Sequence, residues 1–198
     1  MDNIQIDIFS SNSEAALRRI VGDTISVQSS LLVTRETAPE KSGFLISSFA
    51  PEELIRLVVE NGKLVTARQS RRLVGYVLVT PISEFSSLLE NDNNHASGGH
   101  FIPNKPVCFA DFDYIYQIGV VRDASGMGVG GALLKRVMRE TRKNLLTDIL
   151  VSPISNKASL GFFIKNGFRE AGLLELSEYR SFGKLKSKVL IWNNPERM

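Results

Sequence analysis

The chain opens on an alternation. Ile4, Ile6 and Ile8 are separated by Gln5 and Asp7, which predicts a half-buried first strand over residues 4–9. Ser11, Asn12 and Ser13 then offer N-cap oxygens to a helix. Its Leu17, Ile20, Val21, Thr24, Gln28 and Leu31 recur along one face, and Gly22 is a weak point in its middle. Pro39 ends or interrupts the next segment, and residues 43–46 (GFLI) read as a short buried turn or strand. A second helix starts at Pro51, carries Leu54, Ile55, Val58 and Val59, and stops at Asn61 and Gly62.

From Lys63 the period changes to two. KLVTAR, a polar turn at Gln69, Ser70 and Arg71, and RLVGYVLVT up to Pro81 predict an antiparallel hairpin, with Gly75 at a bulge or a close backbone approach. Residues 91–106 are rich in Asn, Gly and Pro and read as a long loop. An apolar strand over 114–121 leads through a polar turn into SGMGVGG, residues 125–131, and that loop opens a helix. Val129, Leu133, Leu134, Val137 and Met138 form the helix's apolar face, opposite Lys135, Arg136, Arg139, Arg142 and Lys143. Residues 148–152 (DILVS) predict a short buried strand. Asn156 caps a helix bearing Leu160, Phe163 and Ile164 that ends at Asn166 and Gly167. An extended stretch over 168–176 and a last strand at 188–192 close the sequence, with no internal repeat or low-complexity segment.

At 198 residues the pattern fits one well-packed domain spanning 1–198, and 43% hydrophobic with 23% charged residues is ordinary globular composition. No apolar run approaches the ~20 residues of a membrane span, and the first twenty residues mix acids and amides with apolar residues, unlike a signal peptide. A cytoplasmic protein with no membrane partner is the expectation. Cys108 is the single cysteine, so no internal disulfide forms; it reads as a small buried hydrophobe in a reducing compartment. The net charge of +3 suits an anionic small molecule and falls short of the basic stripe of a nucleic-acid binder. His95 and His100 lie in the polar loop, and without paired cysteines or carboxylates at ligand spacing they give no metal site.

The glycine-rich stretch is where chemistry concentrates. Gly126, Gly128, Gly130 and Gly131 at a strand-to-helix junction allow close approach and positive φ, so backbone N–H groups and the helix N-terminus can surround phosphates. Residues 126–131 also satisfy G-x-G-x-x-G. A dinucleotide-binding fold, however, wants an acidic residue at the end of the next strand and several parallel units to follow. That strand ends Val151-Ser152-Pro153, and only 67 residues remain after Gly131. A structural glycine connection that binds nothing is the other alternative.

Taken together, the hairpin, the apolar strand, Ser125 to Gly130 and then Asn156, Ser159, Phe163, Gly167 and Phe168 resemble the GNAT superfamily of acyl-coenzyme A N-acyltransferases. The first motif, [Arg/Gln]-x-x-Gly-x-[Gly/Ala], maps onto Ser125 to Gly130, and the second, Asn-x-x-[Ala/Ser]-x-x-x-[Tyr/Phe]-x-x-x-Gly-Phe, onto Asn156 to Phe168. The resemblance covers residues 63–192 strongly and the first 62 in outline. It implies a single α/β (α+β) domain with a mixed, mostly antiparallel sheet flanked by helices, and coenzyme A bound where two neighbouring parallel strands diverge.

The same resemblance implies the site. Ser125, Gly126, Met127, Gly128, Val129, Gly130 and Gly131 would hold the pyrophosphate, Ile118 and Val120 would pair with the pantetheine arm, and Asn156, Ser159 and Phe163 would complete the coenzyme site. The Val120 amide would polarise the thioester carbonyl. Direct attack by a primary amine also needs a base and an acid. Asp113, with Asp111 beside it, is the candidate base, and Tyr116, with Tyr114 and Tyr179, the candidate acid. Acetyl-coenzyme A would be the cosubstrate, with no metal, and a small-molecule or peptide amine the acceptor; relatives often form homodimers. Two departures stand out. Ser125 replaces the cationic or amide residue of the first motif, with Arg122 or Lys157 as compensating cations, and Phe163 replaces a proton-donating tyrosine. They keep open a second function, a catalytically weak or inactive acyl-coenzyme A-binding regulatory module of the same fold.

Overall fold

The computed structural model of the chain describes residues 4–39, 42–89, 96–179 and 182–197. In chain order the elements are β1 (Ile4–Phe9), α1 (Glu14–Leu31), α2 (Pro51–Val59), β2 (Lys63–Gln69), β3 (Arg72–Pro81) and α3 (Ser83–Ser87). There follow β4 (Ala96–Pro103), β5 (Phe112–Val120), α4 (Val129–Glu140), β6 (Asn144–Ser152), α5 (Lys157–Lys165), β7 (Arg169–Tyr179) and β8 (Gly183–Trp192). The chain divides into two compact units. One holds the residues up to Leu32 with Leu45–Thr80 and Ile115–Thr141, the other Val33–Phe44, Pro81–Tyr114 and the residues from Arg142 onward.

In the first unit the strands follow the order β1-β2-β3-β5, with β1 antiparallel to β2 and β2 to β3. The hairpin turns on Ser70 and Arg71, both left-handed at φ 48° and 72°, the geometry that matches the twist of paired strands. Its register passes from Ala67/Gly75 to Arg68/Leu73 and so skips Val74. Gly75 meets both expectations for it: it borders this irregularity, and a Cβ there would lie 2.9 Å from the Gly119 carbonyl oxygen. Leu17, Ile20, Val21, Thr24, Gln28 and Leu31 of α1 are all buried, as the periodicity requires. Helix α4 buries Val129, Leu133, Leu134 and Val137, with Met138 half-buried, and packs on β1 and β2. A Cβ at Gly75 would meet Leu133 of α4, whereas one at Gly119 would meet Leu31 of α1, so the two helices cover opposite faces of this sheet.

In the second unit the order is β6-β8-β7-β4, every neighbouring pair antiparallel. The start of β5 runs parallel to β6, in register from Phe112/Asn144 to Tyr114/Leu146. The sheet is therefore mixed and mostly antiparallel, an α/β arrangement. Phe85 of α3, fully buried, gathers Phe101, Phe109 and Tyr114 at ring-centroid distances of 6.2, 5.5 and 5.5 Å. Along β5 the buried positions run 112 and 114, then 115, 117 and 119, a phase change of the kind one extra residue in a strand produces.

Two expectations are corrected. The long loop over 91–106 contains strand β4, which pairs with β7 from Ala96/Tyr179 to Pro103/Gly172; His95 lies outside the described residues. Its sequence lacks alternation because backbone pairing at a glycine-rich contact makes the strand. A Cβ at Gly172 would sit 2.4 Å from the Ile102 carbonyl oxygen and 2.6 Å from the Phe101 ring. Cys108, expected to be buried, is exposed just before β5. Helix α3 and the reach of β7 to Tyr179 lie outside the elements that the sequence pattern predicts. Among the described residues, no helix is long and apolar enough to cross a membrane.

Candidate functional site

In the first unit, β5 delivers the chain into the glycine loop. Val121 is buried and donates its N–H to the Val74 carbonyl at 3.0 Å, which fixes the end of the strand against β3. A short 3-10 turn over Arg122–Ala124 comes next, with Ala124 buried beneath it. Arg72 meets Asp123 on this turn at 2.6 Å, and the neighbouring guanidinium holds the Asp123 carboxyl below its ordinary range.

The loop then exposes Ser125, Gly126, Met127 and Gly128. Gly126 and Gly128 are left-handed at φ 80° and 83°, conformations that side chains strain to adopt. Gly128 is the N-cap of α4, so no side chain caps that helix, and its first turn carries no acid. Backbone N–H groups and a partial positive charge are thus presented at a surface free of competing carboxylates within that turn. Gly130 and Gly131 are helical residues of α4. Of the four glycines expected to allow close approach and positive φ, Gly126 and Gly128 are the two that adopt positive φ. A Cβ at Gly131 meets no atom within 4 Å, so the surface over the first turn is open.

From Ile115 to Val120 of β5, half-buried Tyr116, Ile118 and Val120 alternate with buried Ile115, Gln117 and Gly119. The Tyr116 ring packs edge-on against Phe49 at 5.0 Å between centroids. Behind this face lies a network that sequence reasoning missed. The Tyr76 hydroxyl donates to Gln117 Oε1 at 2.8 Å, Gln117 Nε2 donates to the Ser47 carbonyl at 3.0 Å, and Gln28 Oε1 accepts from the Phe49 N–H at 3.0 Å. One signal was present: Gln117 is a long amide at an inward position of an otherwise apolar strand.

In the second unit, Asn156 caps α5, accepting the Ser159 N–H at 3.2 Å, and its amide donates to the Phe44 carbonyl at 3.0 Å. Ser159 is half-buried, its Oγ 3.2 Å from where a Cβ at Gly43 would lie. Phe163 is fully buried, edge-on to Phe168 at 4.9 Å and Phe162 at 5.2 Å, so its ring is core. Asp113 pairs with Lys143 at 3.2 Å. Tyr114 is buried and its hydroxyl donates to Asp148 at 2.5 Å. Tyr179 is buried at the end of β7, Asp111 lies in the turn before β5, and His100 is exposed. The predicted loop residues are thus contiguous with the β5 face in one unit, while Asn156, Ser159, Phe163 and Asp113 belong to the other.

The fold is a mixed α/β sheet in which one strand feeds a left-handed glycine loop at a helix with no side-chain cap. The chain belongs to the acetyltransferase (GNAT) family, whose model matches residues 31–168. No curated protein matches the sequence. Among solved structures, the fold is similar to the ribosomal-protein-S18-alanine N-acetyltransferase from Escherichia coli, at 13% identity and a TM-score of 0.60 over 96% of this chain and 94% of that one. It is also similar to an N-acetyltransferase from Staphylococcus aureus Mu50, at 15% identity and a TM-score of 0.58 over 97% of this chain and 99% of that one. The loading GNATL domain of CurA from Lyngbya majuscula matches at 11% identity and a TM-score of 0.62 over 99% of this chain and all of that domain. Family and fold support acyl transfer from acyl-coenzyme A to an amine.

Proposed function

We propose that the protein transfers an acetyl or other short acyl group from its coenzyme A thioester to a primary amine by direct attack, with a small-molecule or peptide acceptor in the cytoplasm. The observation that carries this reading is the pair of left-handed glycines, Gly126 and Gly128, opening α4 without a side-chain cap or a first-turn acid. Coenzyme pyrophosphate is the ligand such a cradle suits in this family. Ser125 supplies a hydroxyl there in place of a cation, and Arg122 is exposed in the preceding turn.

In the reaction, the pantetheine arm pairs with β5 along Ile118 to Val120, as an added strand would. The neutral amine nitrogen attacks the thioester carbon, and the Val120 N–H stabilises the oxyanion that forms. The carbon–sulfur bond then breaks, the nitrogen loses a proton, and the thiolate gains one, giving an amide and free coenzyme A. Asp113 and Tyr116 are the proposed base and acid. Support for Tyr116 is its half-buried place on the same face of β5 as Val120. Release of free thiol from acetyl-coenzyme A in the presence of a panel of amines tests the reading. Amine-dependent release supports an enzyme, and tight coenzyme binding with no release on any amine replaces it with a regulatory module.

A further inference from the structure

Tyr76 holds the face of β5 that Gln117 and Gly119 present. Tyr76 of β3 is fully buried, and it touches β5 at two alternate residues. Its hydroxyl donates to Gln117 Oε1 at 2.8 Å, and its ring lies 2.8 Å from where a Cβ at Gly119 would stand. Leu31 closes the same space at 2.9 Å, so residue 119 is glycine because the Tyr76 ring and Leu31 fill the volume a side chain would need.

Gln117 and Gly119 interleave with Tyr116, Ile118 and Val120, so their placement sets the backbone carrying the Ile118 and Val120 amides. The hold is extended at both ends. Gln117 Nε2 ties the Ser47 carbonyl at 3.0 Å, and the Val121 N–H meets the Val74 carbonyl at 3.0 Å, two residues before Tyr76. Burial drives the phenol far above its ordinary range, with a hydrogen bond from Gln28 opposing.

We propose that Tyr76 is a positioning residue for the acyl-thioester end of the coenzyme: by holding Gln117 and Gly119 it fixes the Ile118–Val120 backbone that receives the pantetheine arm and the thioester carbonyl. The glycine loop, which receives the phosphates, is not held by these contacts. The assignment rests on the acyl-coenzyme A reading above, and two ligands separate it from a purely structural role. Acetyl-coenzyme A uses both the loop and the β5 backbone; phosphoadenosine diphosphate, the nucleotide half of the coenzyme, uses the loop alone.

Calorimetric titration of the full chain, its Tyr76→Phe variant and its Gln117→Met variant with each ligand is the test. Both variants are expected to bind the nucleotide half within about twofold of wild type and acetyl-coenzyme A about tenfold more weakly, since each loses the Tyr76–Gln117 hydrogen bond while keeping the side chain's bulk, and Gln117→Met loses the tie to Ser47 as well. Unchanged acetyl-coenzyme A affinity in both variants overturns the assignment, as does an equal loss for the two ligands. Wild-type protein that binds neither ligand removes the coenzyme reading itself, and the assignment with it.

Discussion

The Tyr114 hydroxyl on β5 donates to the Asp148 carboxylate on β6 at 2.5 Å, inside the second unit. Burial raises the Asp148 carboxyl above its ordinary range, and the hydrogen bonds from Tyr114 and Ser187 only partly oppose this. The phenol of a candidate proton donor is thereby committed to the half-buried Asp148 carboxyl.

This pair carries a pH signature. Asp148 binds its proton more tightly in the folded than in the unfolded chain, so stability is fully present below the ordinary carboxylate value of 3.8 and is lost as pH rises through the higher folded value. Asp148→Asn keeps an acceptor for Tyr114 and removes the titration. Urea denaturation is expected to show the variant more stable than wild type near about pH 7, with the gain vanishing below the unfolded value. An advantage independent of pH would contradict the linkage.

Glycines with opposite surroundings should respond oppositely. A Cβ at Gly119 would lie 2.8 Å from Tyr76 and 2.9 Å from Leu31, so Gly119→Ala is expected to cost about 1–3 kcal/mol through overpacking. Gly131 sits within α4 with nothing within 4 Å, so Gly131→Ala is expected to stabilise by about 0.5–1 kcal/mol. Thermal unfolding of the two variants beside wild type decides both.

Asn156 serves the fold twice, as the α5 cap and as the donor to Phe44. Asn156→Ala should cost about 1–3 kcal/mol, because a cap is lost and a buried carbonyl is left without its donor. Asn156→Asp keeps the acceptor for Ser159 and loses the donor, and should fall between wild type and the alanine variant in a denaturant titration.

How much was legible depends on what holds each element in place. Helix α1 and the β2–β3 hairpin were readable because their burial is local and periodic, and Gly75 because a lone glycine in an alternating strand marks a close approach. Strand β4 was hidden, since its pairing with β7 exploits glycines rather than an apolar face. Cys108 is exposed just ahead of the turn before β5, and composition does not report such a placement. The glycine loop was located correctly, but its sequence spacing could not reveal that Gly126 and Gly128 alone adopt left-handed geometry. The Tyr76–Gln117 contact joins residues 41 positions apart, a separation at which no periodic signal operates.

The loop from Ser125 to Gly131 is proposed to hold the coenzyme's phosphates. Calorimetric titration of acetyl-coenzyme A into wild type and Gly128→Leu, with circular dichroism to establish that both are folded, tests it most directly. Saturable binding to wild type is expected, with loss of at least about a hundredfold in the variant, whose side chain both occupies the cradle and strains a φ of 83°. Equal affinity in the two folded proteins would contradict it.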